Sequence, residues 1–170
     1  MRVIFFHPDL GIGGAERLIV DAAIGLQQRG HAVAIYTSHY EPTRAFEDIE
    51  TEKIPVRVYG RLPHLPAIGF YILIAICRQL LLTLAYLIRL HVTKSELPAD
   101  ILFVDQLPAC IPLLRLFTRG RVLYYGHFPD ALLTPRDTLL KKCYRLPFDY
   151  LEEWTTRQFC SSFLVTDDDD

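Results

Sequence analysis

No pair of the four cysteines is spaced as Cys-x-x-Cys, and no histidine stands near one at zinc-ligand spacing. That excludes the common zinc-stapled folds. Cys77, Cys110, Cys143 and Cys160 lie far apart in the chain and read as buried thiols of a reduced compartment, with no metal site expected. The start does not read as a secretory signal, because His7-Pro8-Asp9 interrupts the apolar run that begins at Val3. A surplus of charge is missing too. The formal net charge is −2, and the four aspartates Asp167 to Asp170 account for more than all of it, leaving +2 on the rest. A chain so near neutral is not expected to bind nucleic acid.

What is present is apolar. Half of the 170 residues are hydrophobic (51%), enough for the core of one domain. Val3 to Phe6 is a continuous apolar run closed by Pro8 and a glycine cluster, the pattern of a strand covered on both faces. From Ala15 to Gln28 the residues Leu18, Ile19, Ala22, Ala23 and Leu26 recur at helical spacing, and Gly30 stands where a helix stops. Strand-like runs follow at Ala32 to Thr37, Val56 to Tyr59, Ile101 to Val104, Arg121 to Tyr125 and Ser162 to Val165. A polar connection occupies His39 to Glu52, and a helix is expected around Pro112 to Phe117. Strands alternating with helices predict an α/β fold, a Rossmann-like doubly wound parallel sheet.

Gly11-Ile12-Gly13-Gly14-Ala15-Glu16 falls between the first strand and the first helix. Backbone amides at such a helix start attract phosphate, and glycines there let a diphosphate approach the backbone and permit turns of positive φ. The dinucleotide fingerprint fails, since Glu16 replaces its third glycine and Tyr36-Thr37-Ser38 stands where its ribose-binding acid belongs. The Walker pattern fails as well, because no Gly-Lys-Ser/Thr follows. A glycine turn serving packing alone is the competing reading.

Three blocks carry a family resemblance. His7-Pro8-Asp9-Leu10-Gly11-Ile12-Gly13-Gly14-Ala15-Glu16-Arg17 resembles the opening of the eukaryotic alpha-1,3/1,6-mannosyltransferases of dolichol-linked oligosaccharide assembly. Asp105-Gln106 ahead of Ala109-Cys110-Ile111-Pro112 is a second match. Tyr125-Gly126-His127-Phe128-Pro129-Asp130, with Leu132, Leu133, Thr134, Arg136 and Asp137 and continuing into Tyr144-Arg145-Leu146-Pro147, is the third. The likeness runs up to Val165; Gly-Gly-Ala-Glu-Arg alone marks only the wider class of retaining GT-B glycosyltransferases of family 4. It implies two Rossmann-like domains facing a cleft, with the acceptor largely on the first and GDP-mannose largely on the second. Residues 1–166 correspond to the first, acceptor-side domain, with 167–170 as an acidic tail. The donor-binding domain, with its glutamate pair, is absent from these residues, so the chain looks cut short. The resemblance further implies transfer of mannose from GDP-mannose to dolichol-diphosphate oligosaccharide, in alpha-1,3 and alpha-1,6 linkage, on the cytosolic face of the endoplasmic reticulum membrane. It implies no bound metal and no cofactor, the leaving diphosphate itself assisting the incoming hydroxyl. A rival reading is a non-catalytic, membrane-docked fragment or subunit that needs a separate donor-binding chain.

The candidate site residues follow. Gly11, Gly13 and Gly14 form the phosphate-facing loop, and Arg17, one turn into the helix, either pairs with a phosphate oxygen or is a solvated helix charge. Glu16 suits the first turn of a helix by its charge and is a weaker candidate base. His127 follows a strand-like run, so it is placed at the carboxyl edge of the sheet, where ligands bind in such folds. It contacts the sugar or acceptor, or it is a structural cap. Asp130 orients His127, binds acceptor hydroxyls, or makes the turn after proline. His7 and Asp9 are weaker candidates on the first loop.

One apolar stretch remains. Ala67 to Ile88 is roughly 20 residues, long enough to span a bilayer, but central Arg78 and Gln79 leave insertion only marginally favourable. Strands before and after it belong to one sheet, and a single crossing would split that sheet. Arg78, Leu82, Tyr86 and Arg89 mark a less apolar stripe. The expected element is a membrane-associating helix near 67–90, lying in the interface or re-entering it, with a buried crossover helix as the alternative. Ile72, Ile76, Leu80 and Leu84 are expected to face lipid.

Overall fold

In a computed structural model, the structure describes residues 1–60, 71–126 and 162–165. The strands are β1 (Arg2–His7), β2 (Ala32–Thr37), β3 (Val56–Val58), β4 (Ile101–Asp105), β5 (Arg121–Gly126) and β6 (Ser162–Val165). They form one sheet in the order β3-β2-β1-β4-β5-β6, every neighbouring pair parallel. The helices are α1 (Gly14–Gln28), α2 (Asp48–Thr51), α3 (Tyr71–His91) and α4 (Ile111–Phe117). Single 3-10 turns precede α2 at Pro42–Arg44 and α4 at Pro108–Cys110. The doubly wound fold is as expected. The short helices in the polar connection were not, because neither is long enough to show a period of its own.

The central strands are buried on both faces, and alternation along them sorts their side chains into two cores. Val3 and Phe5 of β1 join Val33 and Ile35 of β2 beneath Ile19, Val20 and Ala23 of α1. Ile4 and Phe6 join Tyr36, Leu102, Val104 and Tyr124 beneath Leu82 and Tyr86 of α3 and Leu114 of α4. Helices on opposite faces explain why Val3 to Phe6 reads as an unbroken apolar run. Tyr86 anchors α3 in an aromatic cluster, its ring 5.4 Å from that of Phe6 and 5.3 Å from that of Tyr36.

Among the described residues two glycines take positive φ, and neither is in the loop where it was expected. Gly30, with φ 82°, ends α1. Gly60, with φ 76°, lets the chain leaving β3 approach the α3 backbone, where a Cβ would lie 2.8 Å from Leu82 N and 2.9 Å from Arg78 O. Gly11, Gly13 and Gly14 are outside the positive-φ region, so what they contribute is space. The cysteine expectation also needs correction. Cys110 is buried but Cys77 is exposed, because it falls on the outward row of α3. Cys143 and Cys160 lie outside the described residues.

Candidate functional site

The direction of winding reverses between β1 and β4: from β1 the chain goes to β2 on one side, and β4 pairs on the other. The carboxyl ends of two adjacent strands therefore open onto a crevice, the place where ligands enter open α/β sheets. β1 ends in His7 and β4 ends in Asp105, and both side chains are fully buried. Their juxtaposition follows from the pairing of Phe6 with Val104 one residue earlier. His7 Nδ1 donates to Asp105 Oδ2 at 2.6 Å. His7 Nε2 points toward Glu16 Oε1 at 3.7 Å; it is buried and makes no hydrogen bond among the described residues.

Burial by itself lowers the proton affinity of this imidazole. The hydrogen bond with Asp105, then the nearby Glu16 carboxylate, and the negative charge of both together outweigh burial and carry the pKa from 6.5 up to about 9. At neutral pH His7 is therefore a buried cation set between two carboxylates.

The glycine loop lies beside this trio. Leu10 N donates to His39 O at 3.0 Å and Ser38 Oγ donates to Pro8 O at 2.5 Å, which tie the loop after β1 to the loop after β2. Asp9 is engaged on the outside, with its Oδ1 3.0 Å from His39 Nδ1. Gly13 is the N-cap of α1 and, having no side chain, caps nothing; its carbonyl accepts the first helical bond, from Arg17 N at 2.9 Å. The amino end of the 15-residue helix thus presents its amides and its positive dipole end to the crevice. A Cβ at Gly13 would meet the Glu16 carboxylate, which folds back over that glycine, whereas a Cβ at Gly14 would meet nothing within 4 Å.

Arg17 is placed differently from the loop glycines. Its guanidinium is ion-paired with Asp21 and Asp48 and lies over the ring of Phe46 at 5.1 Å. It links α1 to α2, and a phosphate would have to compete with two carboxylates for it. His127 and Asp130 lie outside the described residues. Among the described residues, no three His, Cys, Asp or Glu side chains converge to hold a metal ion.

Sequence reasoning ranked His7 low and quoted Asp105 only as part of a resemblance. The available signal was positional: each is the first polar residue after an apolar strand, and the predicted sheet order makes those strands neighbours. Gln106, quoted in the same block, was given no role of its own. It has φ 64°, a left-handed conformation rare outside glycine, and the hydrogen bond from Leu107 N to Asp105 O at 2.8 Å closes a three-residue turn around it. Tyr124 Oη donates to Gln106 O at 3.0 Å. This turn ends β4 abruptly just after Asp105.

α3 departs from the soluble pattern. The residues it buries most deeply include two polar ones, Gln79 and Thr83, beside Leu82, Tyr86 and Leu87. Its exposed row is Leu73, Cys77, Leu81, Leu84 and Ile88. The segment Leu73–His91 is long and apolar enough, by length and composition, to cross a membrane. Leu82 and Tyr86, from the stripe expected to be less apolar, pack into the core against the sheet. Of the four residues expected to face lipid, Leu84 is exposed, Ile76 and Leu80 are partly covered, and the side chain of Ile72 is outside the described set.

Comparison with known proteins adds to this geometry. The family model for Glycosyltransferase Family 4 matches residues 12–166. The chain is 50% identical to the alpha-1,3/1,6-mannosyltransferase ALG2 of Rhizomucor pusillus, over 92% of this chain and 33% of the relative. With the enzyme of the same name from Saccharomyces cerevisiae it shares 47% identity, over 90% of this chain and 30% of the relative. With that of Yarrowia lipolytica the identity is 49%, over 92% and 34%. The chain spans about a third of the length of these relatives.

Proposed function

The chain belongs to glycosyltransferase family 4, and from that membership we propose that it supplies the acceptor-side half of a retaining GT-B mannosyltransferase. The reaction is transfer of mannose from GDP-mannose to dolichol-diphosphate oligosaccharide, forming alpha-1,3 and alpha-1,6 linkages at the cytosolic face of the endoplasmic reticulum. Near-half identity to enzymes named for those two linkages, over nine-tenths of this chain, supports the reaction class. The observation that carries the reading is the crevice at the reversal of strand order. There the α1 amino end, without a side-chain cap, and the open space at Gly14 stand beside a buried cation.

In this reading Gly11, Gly13 and Gly14 admit a diphosphate to the helix end, and His127 and Asp130 contact the sugar or acceptor from the end of β5. The leaving diphosphate takes the proton of the incoming hydroxyl, so neither metal nor cofactor is required of this half. GDP-mannose is held mainly by the donor-binding domain, which belongs to the two-thirds of the relatives' length that these 170 residues do not match. The 170-residue chain alone is expected to give no transfer of labelled mannose to a lipid-linked acceptor. Joined to the donor-binding domain of a relative it is expected to turn over. In that joined protein His127→Ala removes one contact made in the transition state, for a loss of about 30- to 1000-fold in rate. A near-normal rate would make His127 a structural cap.

The outward row of α3 supports docking on the membrane surface. β3 and β4, which flank α3, lie in the same sheet, so the helix lies in the interface or re-enters it and does not cross. Tags at the two chain ends should report the same side of the membrane; opposite sides would refute both the membrane mode and the single sheet.

A further inference from the structure

Glu16 occupies an unusual position. It is the third residue of α1, where negative charge is favoured by the helix dipole, and its carboxylate folds back over Gly13 instead of extending into solvent. Its side chain is only 20% exposed. Directly behind it lies His7, fully buried, with Nδ1 held by Asp105 and Nε2 facing the Glu16 carboxylate at 3.7 Å, too far for a hydrogen bond. An imidazole fixed on one side, with an unsatisfied buried nitrogen on the other, is aimed at whatever anion rests on the α1 amino end.

Resting on the phosphate-loop reading above, we propose that Glu16 and an incoming diphosphate compete for one anion seat, formed by His7 Nε2 and the amino end of α1. Asp105 is the positioning residue that keeps the imidazole turned toward that seat. In the substrate-free protein the carboxylate stands in for phosphate. When a diphosphate enters, Glu16 swings out toward solvent and His7 becomes the counter-cation of a phosphoryl oxygen. The substitution costs little in charge balance, because one anion replaces another beside the same cation. It also keeps a buried cation from standing unpaired while the site is empty. Among the described residues, the groups that face His7 are Asp105 from β4, Glu16 from α1 and, on β2, the neutral Thr37 paired with it in register.

The test is calorimetric titration of the 170-residue chain with inorganic pyrophosphate, GDP and farnesyl diphosphate, the last two distinguishing a nucleotide from a lipid as the source of the diphosphate. Glu16→Gln keeps the side-chain shape and removes the competing charge, and should tighten pyrophosphate binding about ten-fold. His7→Gln added to Glu16→Gln should abolish that gain. Amide shifts of Gly13 and Gly14 on titration provide a readout at the seat itself, and the circular dichroism of each variant shows whether it folds. Should the double variant fail to fold, a pyrophosphate-induced shift of the His7 ring resonances in Glu16→Gln replaces it, and their indifference overturns the proposal. Equal or weaker binding by Glu16→Gln, with both proteins binding at Gly13 and Gly14, would overturn the competition and leave the phosphate-loop reading intact. No pyrophosphate binding by either protein would overturn both.

Discussion

α1 and α3 cover opposite faces of one parallel sheet, and they obey opposite rules. α1 buries Ile19, Val20 and Ala23 and turns Asp21 and Gln28 outward, as a helix does between an apolar core and water. α3 buries Gln79 and Thr83 beside Leu82, Tyr86 and Leu87, and turns Leu73, Leu81, Leu84 and Ile88 outward. Two of the buried polar groups of α3 find partners: Thr83 Oγ1 donates to Gln79 O within the helix at 2.8 Å, and Gln79 Nε2 donates to Cys110 Sγ of the turn before α4 at 3.5 Å. Apolar burial alone therefore does not explain α3. In the proposed function the two helices meet different surroundings, α1 engaging a diphosphate at its amino end and α3 the membrane along its flank.

The largest effects should come where the two helices are alike, at their seams with the sheet. Tyr86→Ala removes a ring that packs on Phe6 and Tyr36, and Ile19→Ala opens the opposite core; each should cost about 2 to 5 kcal/mol in urea unfolding. Leu84→Ala, two residues from Tyr86 but outward, should cost no more than about 0.5 kcal/mol. Equal losses at Tyr86 and Leu84 would erase the distinction between the faces of α3.

A second difference is electrostatic and arises at His7, beside the amino end of α1. The folded state raises the pKa of His7 from 6.5 to about 9, so it binds the proton more tightly than the unfolded chain does. The resulting stability is complete below about pH 6.5 and is lost as pH rises through about 9. It amounts to something on the order of 3 kcal/mol at most. Unfolding midpoints of the wild type should fall over that window, and those of His7→Gln should not. An unchanged pH profile in His7→Gln would show that the imidazole is not held as a cation.

Gln79→Leu sharpens the comparison at a smaller scale. Gln79 Oε1 is buried without a hydrogen bond, so exchanging the amide for an apolar side chain of similar volume should change stability by about 1 kcal/mol or less, and toward stabilisation. Smallest in stability, but not in partition, is the fourfold exchange of Leu73, Leu81, Leu84 and Ile88 for serine. Unfolding should barely move, while flotation with phospholipid vesicles should be lost. Flotation that survives the exchange would remove the membrane from the explanation of α3.

Much of this was legible in the sequence because period and punctuation carried it. The unbroken run Val3 to Phe6, the glycines after it and Gly30 at the helix end placed β1, the loop and α1 within a residue or so. The direction of α3 was half legible. Leu84 was placed on the outward row, but Ile76 and Leu80 were set one position off it, because a helix apolar nearly all round gives no sharp face until its packing is known. The His7, Asp105 and Glu16 trio was not legible. Its members are 98 and 9 residues apart from His7, and only the pairing of β1 with β4 brings two strand ends together. The loop glycines were expected to serve partly through positive φ. They serve through space, a matter of neighbouring side chains that local sequence does not encode.

Gly14 is where the proposed half-enzyme can be tested most directly. Valine there needs no unfavourable φ, since Gly14 is the first residue of α1, and it fills space that no described atom occupies. The measurement is transfer of labelled mannose from GDP-mannose to a dolichol-diphosphate oligosaccharide, by the chain joined to the donor-binding domain of the Rhizomucor pusillus relative, with and without Gly14→Val. Transfer by the joined protein that falls at least about 100-fold with valine, a loss of about 2.7 kcal/mol of transition-state stabilisation, at unchanged unfolding midpoint, is the expected result. Undiminished transfer with valine in place would contradict a diphosphate seat at the amino end of α1.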